Sequence, residues 1–278
     1  MAPSDYDERV HLSAENPVAD PMTVICLGTG TSHGIPMIAC DCPVCTSADP
    51  HDRRTRCSIV MDFGERAVLV DTSPELRLQC VANGIRRIDA VLFTHHHADH
   101  VTGLDDLRRF NHLLGGPMPC YAMPATLAAL HRMFPYVFDD DPSYPSHKPR
   151  LHPMPIEGDQ PFELFGRRIT PIRLMHGKTP VLGFRVGAFA YCTDCNHIPD
   201  DSLRQLTGLE VLILDGLRRK PHPTHFNLEQ AVDMAGRIGA GQTYFTHIAH
   251  ELAHAETNAS LPANMALAHD GLRFALCT

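Results

Sequence analysis

The chain has 278 residues, 44% of them apolar, which is enough for a sizeable core, and its formal net charge is −8. The acidic balance argues against a broad electrostatic footprint for nucleic acid, and the absence of tryptophan leaves few platforms for stacked bases. Nineteen histidines and ten cysteines direct attention to metal chemistry instead.

Residues 1–21 read as a polar, Pro-containing arm whose order depends on docking. Its start, Met1-Ala2-Pro3-Ser4-Asp5-Tyr6-Asp7-Glu8, has neither the basic nor the apolar region of a secretory signal. No run of about 18 apolar residues exists, so no membrane span is expected. Cysteines without a secretion signal point to reduced thiols or metal ligands and to the cytoplasm.

From 22 to 278 the pattern reads as one globular domain. Thr23-Val24-Ile25-Cys26-Leu27 is a predicted strand running into Gly28-Thr29-Gly30-Thr31. Strands follow at 57–61 and 67–70, the second ending at Asp71. A helix is expected over 74–82, capped by Gly84, then a strand at 90–93 and a helix over 103–114. The stretch 115–161 is rich in proline and reads as loops around a helical island at 125–134, with Asp139-Asp140-Asp141-Pro142 and Tyr144-Pro145 marking turns. Strands resume at 168–174, 182–186, 189–192 and 211–214, followed by a helix over 228–238 and strands at 243–245 and 272–276. Alternating strands and helices favour a layered α/β domain.

Between the strand at 90–93 and its helix lies Thr94-His95-His96-His97-Ala98-Asp99-His100, four histidines and a carboxylate in seven residues. Imidazole and carboxylate suit zinc, manganese or iron. So tight a turn does not easily aim four side chains at one ion, so the natural reading is two adjacent metals that clamp and activate a water for hydrolysis. In an extended loop side chains alternate, which points His96 away from the metals.

His95-x-His97-x-Asp99-His100 resembles the signature of the metallo-β-lactamase superfamily. That resemblance implies a four-layer αββα sandwich with metals at one edge between the two sheets. Three further residues, His176, Asp194 and His247, each follow a predicted strand and complete the superfamily's order of ligands. By resemblance, His95, His97 and His176 hold one metal, Asp99, His100 and His247 hold the other, and Asp194 bridges them, with a bridging hydroxide as nucleophile. Asp71 matches the superfamily's early aspartate and is expected to orient the histidine-rich loop. An aspartate at 194, where β-lactamases tend to carry cysteine, implies phosphodiester or thioester hydrolysis.

Cys40-Asp41-Cys42-Pro43-Val44-Cys45 supplies three closely spaced thiols. A closed zinc site needs four ligands, and His250, three residues past His247, is the candidate fourth for a structural zinc. Together these features are similar to the PhnP-like phosphodiesterase branch of the superfamily. Within it, His225 in Thr224-His225-Phe226-Asn227 matches a substrate-facing histidine expected to act as general acid, with His222 as its fallback and Asp99 sharing proton transfer. Ser32 and His33 are expected to line the site from the glycine loop. Arg218, Arg219 and Lys220 read equally well as a phosphate-binding run or as solvated surface. His254 and His269 are expected at the surface, and Cys192 and Cys195 as apolar packing.

The implied activity is hydrolysis of a small sugar or nucleotide phosphodiester, cyclic or open, by a dinuclear zinc or manganese site. A tRNase Z-type nuclease and a glyoxalase II-type thioesterase are the rival readings, and the acidic balance weighs against the nuclease. A purely structural metal site would predict a missing ligand, and none is missing. A homodimer is compatible with the sequence.

Overall fold

A computed structural model describes residues 21–139 and 147–276. The arm, apart from Pro21, and the turn residues from Asp140 to Pro145 lie outside the described residues.

The chain builds β1 (Met22–Gly28), β2 (Ser58–Asp62), β3 (Ala67–Val70), α1 (Leu76–Asn83), β4 (Ala90–Leu92), α2 (Ala98–Val101) and α3 (Arg108–Leu114). There follow β5 (Met118–Ala122), α4 (Pro124–Met133), β6 (Leu151–Pro155), β7 (Phe162–Leu164), β8 (Arg167–His176), β9 (Thr179–Val186), β10 (Phe189–Cys192) and α5 (Asp200–Arg204). The last elements are β11 (Val211–Asp215), α6 (Leu228–Ile238), β12 (Gln242–Thr246), α7 (His254–Ser260), β13 (Met265–Leu267) and β14 (Arg273–Leu276).

Two seven-stranded sheets result, ordered β14-β1-β2-β3-β4-β5-β6 and β13-β12-β11-β10-β9-β8-β7. Each is mixed. In the first, β14 to β3 pair antiparallel and β3 to β6 parallel. In the second, β7 to β10 pair antiparallel and β10 to β13 parallel.

Period-two alternation explains why so many strands read as continuous apolar runs: both faces are covered. Val24 and Cys26 of β1, Val68 and Val70 of β3, and Val211 and Ile213 of β11 meet between the sheets. Ile25, Leu27 and Leu69 instead pack outward with Leu76 and Cys80 of α1. Leu212 and Leu214 pack outward with Ala231, Met234 and Ala235 of α6. These are the four layers of an αββα sandwich.

The main departure from sequence lies in the proline-rich stretch, where β5 and β6 form parallel strands rather than loops. β6 is the edge strand of its sheet, where Pro153 and Pro155 need no donor on the open side. The span 103–114, expected as one helix, is a 3-10 stretch at Thr102–Leu107 followed by α3, with α2 just before it. His254 is a correction: it is 8% exposed, on a helix the sequence reading lacked.

Candidate metal centre and active-site cleft

Strands β3, β4, β10, β11 and β12 end at one edge of the sandwich, and the chain leaves each with a polar residue. β3 gives Asp71, β4 leads to Thr94 and His95, β10 gives Asp194, β11 ends on Asp215 and β12 gives His247. His176 is the last residue of β8 and reaches the same edge. Asp71, Asp194 and His247 take left-handed backbone conformations, with φ of 63°, 55° and 60°. Non-glycine residues persist there only where surrounding contacts hold them, and such strain clusters at functional sites.

Two overlapping groups of donors form. His95, His97, His176 and Asp194 are one; Asp99, His100, Asp194 and His247 are the other; within each, the donor atoms lie within 4.8 Å of one another. Asp194 belongs to both. Its Oδ1 is 3.3 Å from His100 Nε2, and its Oδ2 is 3.4 Å from His247 Nε2 and 3.7 Å from His95 Nε2. Asp99 Oδ2 is 3.3 Å from His100 Nε2 and 3.5 Å from His247 Nε2. A tetrahedral ion bound at about 2.1 Å sets its ligands about 3.4 Å apart. These spacings match the edges of such a polyhedron, and among the described residues the buried His100 Nε2 and His247 Nε2 have no hydrogen-bond partner. The residues fit a pair of divalent metals. His96 belongs to neither group.

A second layer fixes the imidazoles. His100 Nδ1 donates to Asp71 Oδ2 at 2.7 Å. Thr94 donates its backbone N–H to Asp71 Oδ1 and its hydroxyl to Oδ2, at 2.8 and 2.7 Å. His95 Nδ1 lies 3.0 Å from the Thr94 hydroxyl and His176 Nδ1 2.9 Å from the Thr224 carbonyl. Each bond leaves Nε2 for the metal side. Asp71 thus orients the loop, and Thr94, which the sequence reading left without a role, carries its reach to His95.

The charges are strongly coupled. Burial holds His95 well below the usual imidazole range. At His100 the opposing carboxylates of Asp194, Asp99 and Asp71 overcome burial and hold the ring well above it. Asp194, despite full burial, stays well below the carboxylate range beside His100 and His247. So dense a set of carboxylates demands positive charge, which divalent cations supply while leaving the imidazoles neutral.

The sequence reading also missed Asp215. His225 Nδ1 donates to its Oδ2 at 2.6 Å, and the His225 ring stacks on His247 at 4.5 Å. Asp215 was legible as an apolar run ending in aspartate, the same pattern as Val70-Asp71. α6 positions this segment: the Asn227 side chain accepts the Gln230 N–H at 2.9 Å, and Gln230 Oε1 accepts the Asn227 N–H at 3.1 Å. A cleft of about 190 Å³ opens beside His225, lined by Ser32, His33, Arg218, His222, His250 and Glu251. His222 lies 5.1 Å from His225, ring to ring. Arg219 and Lys220 are exposed and line no part of it.

The cysteine cluster forms a separate cradle. His250 Nδ1 is 3.2, 3.4 and 3.8 Å from the Sγ atoms of Cys40, Cys42 and Cys45. The Cys45 N–H lowers the Cys42 thiol to about 7, favouring the thiolate that binds zinc. Arg54, fully buried, donates to the carbonyls of Ala249 and Leu252 at 3.1 and 2.7 Å and pairs with Asp52, clamping the segment that carries His250. The glycine loop closes this region. A Cβ at Gly30 would stand 2.6 Å from the Arg54 carbonyl, and Thr31 N–H donates to the Ile248 carbonyl at 3.1 Å. Cys192 and Cys195 are fully buried packing.

Residues 66–248 match the family model described as Beta-lactamase superfamily domain. A solved structure described as a new diphosphatase from the PhnP family superposes with a TM-score of 0.86 at 44% identity, covering 93% of this chain and 99% of that one. Zinc-bound PqqB from Methylobacterium extorquens shares the fold at 24% identity, 91% and 100% coverage, and a TM-score of 0.75. Among curated relatives, an octanoyltransferase of Porphyromonas gingivalis is 40% identical over 255 residues, 90% of this chain; the chain spans only 51% of that relative. On the family match and the close likeness along its length, the chain belongs to the metallo-β-lactamase superfamily and within it to the PhnP family.

Proposed function

We propose that the protein hydrolyses a small phosphodiester, of a sugar or nucleotide, at the paired donor groups joined by Asp194. The observation that carries this reading is the position of the His225–Asp215 pair beside those groups, facing a cleft of about 190 Å³. That volume suits a small leaving group and not a polynucleotide. The diphosphatase description of the PhnP-family structure supports a phosphorus centre over a thioester and brings diphosphate linkages of similar size into the class.

In this reading His95, His97 and His176 hold one divalent metal, zinc or manganese, and Asp99, His100 and His247 hold a second. A bound pair supplies Lewis-acid polarisation of the phosphoryl group and a water of lowered pKa. The chain's own residues do the rest. His225, its Nδ1 tied to Asp215, presents Nε2 as the proton donor for the leaving oxygen, and Asp215 fixes the ring's orientation. Asp71 and Thr94 keep the histidine loop in register. Arg218, with Ser32, His33 and His222, binds the substrate in the cleft, and Arg218 offers a charged fork for an anionic group. Cys40, Cys42, Cys45 and His250 hold a structural zinc that shapes the cleft wall, since His250 borders both.

The test is hydrolysis of bis-(p-nitrophenyl) phosphate with zinc or manganese, for wild type and Asp194→Ala. Metal-dependent turnover abolished by the substitution is the expected result. Turnover of pre-tRNA or of an acyl thioester without turnover of the small diester would overturn it.

A further inference from the structure

On the outer face of the first sheet, away from the metal centre, α1 and α3 leave a groove between them. Two adjoining cavities of about 390 and 570 Å³ share Arg86, Phe110 and Leu113 in their walls. The floor is apolar and part of it is bare: Val81 is 71% exposed and Leu113 54%. Soluble domains seldom leave such apolar surface without a use. The rim is cationic in a chain of net charge −8: six arginines line it against the carboxylate of Asp106. Arg66 and Arg87 pair with Asp89. Arg77, Arg86 and Arg109 line the groove without a side-chain partner among the described residues.

Residues 1–20 have the complementary character. They carry Asp5, Asp7, Glu8, Glu15 and Asp20 against the single Arg9, with Tyr6, Val10 and Leu12 as apolar groups. They join the domain at the right edge. Thr23 of β1 faces Asp62 of β2, and Asp62 faces Ala67 of β3, next to Arg66 on the groove's rim. Two strand spacings are about 10 Å, and twenty residues of extended chain reach about 66 Å. A second copy docking by two-fold symmetry would set this cationic rim against itself, which disfavours it.

We propose that the acidic segment 1–20 of this same chain docks in the α1–α3 groove, with its carboxylates on Arg77, Arg86 and Arg109 and its apolar side chains over Val81 and Leu113. The segment then covers the bare apolar floor of this groove and neutralises these three arginines.

Hydrogen–deuterium exchange on the full chain tests this. At low salt, amides of residues 5–12 are expected to exchange about tenfold more slowly in wild type than in Arg77→Glu/Arg86→Glu/Arg109→Glu, and the difference should vanish in about 0.5 M salt. Adding Asp5→Arg, Asp7→Arg and Glu8→Arg to the triple variant should restore slow exchange. Equal exchange of the segment in wild type and the triple variant overturns the proposal, as does protection that the swapped charges fail to restore. These arginines are exposed, so the variants retain the fold, and retained hydrolysis of the diester verifies it.

Discussion

The two metal cradles of this molecule are built in opposite ways. The His/Asp cradle joins the run from His95 to His100, which follows β4, to His176, Asp194 and His247 at strand ends of the other sheet, and most of its donors are nearly inaccessible: His100 is 0% and Asp194 2% exposed. The cysteine cradle takes three donors from one six-residue loop and a single long-range partner, His250. The first takes the spacing of its strand-end donors from a rigid sheet, which the proposed two-metal reaction needs. The second inherits almost nothing from the sheets, and a metal there would itself order the loop, so its binding energy is folding energy. The turn after β12 joins them, placing His247 in one and His250 in the other.

That contrast orders the expected effects. Asp194→Ala removes the donor common to both His/Asp groups and should lower diesterase turnover by about 10³-fold or more while the thermal midpoint stays near wild type. A large stability loss with activity retained would invert the roles of the two cradles. His225→Ala should lower kcat by about 10²–10³-fold at unchanged metal content. Asp215→Asn should cost about 10–100-fold, since the ring loses the carboxylate that orients it. If both substitutions leave the leaving-group dependence of the rate unaltered, His225 is not the proton donor.

The cysteine cradle should answer in stability. Arg54→Met strands the Asp52 carboxylate and the carbonyls of His51, Ala249 and Leu252 and should cost about 3–5 kcal/mol in urea unfolding. Cys42→Ser should lower the thermal midpoint and make the chain sensitive to chelators, with kcat within about tenfold of wild type.

The smallest effect concerns His254, beside the cysteine region. Burial, with His51, Arg54 and His269 close by, lowers its pKa to about 4. The folded chain keeps this ring neutral while the unfolded chain takes up a proton below about 6.5. Its contribution to stability is therefore complete above 6.5 and lost as the pH falls towards 4. The urea midpoint of wild type should fall more steeply than that of His254→Leu between pH 7 and 4.5. Parallel curves would remove His254 from the acid response.

Local signals made much of this readable in the sequence. The histidine run is contiguous, the cysteines are contiguous, and Leu228–Ile238 is a helix with its cap and terminal glycine in place. The donors at His176, Asp194 and His247 follow apolar runs and needed the family's order of ligands to be joined. What stayed hidden depends on tertiary context. β6 carries prolines that its edge position tolerates. Asp215 matters only because the fold brings His225 within reach, and Thr94 because it brings Asp71. His254 looks like surface until α7 buries it.

Metal content of the purified chain, read beside diesterase activity in the same samples, probes the division between the cradles most directly. Wild type should hold about three divalent metals per chain, Asp194→Ala about one, inactive and folded, and Cys42→Ser about two, active and less stable. One metal per chain in active wild type, or undiminished metal and activity in Asp194→Ala, would contradict a dinuclear centre joined by Asp194.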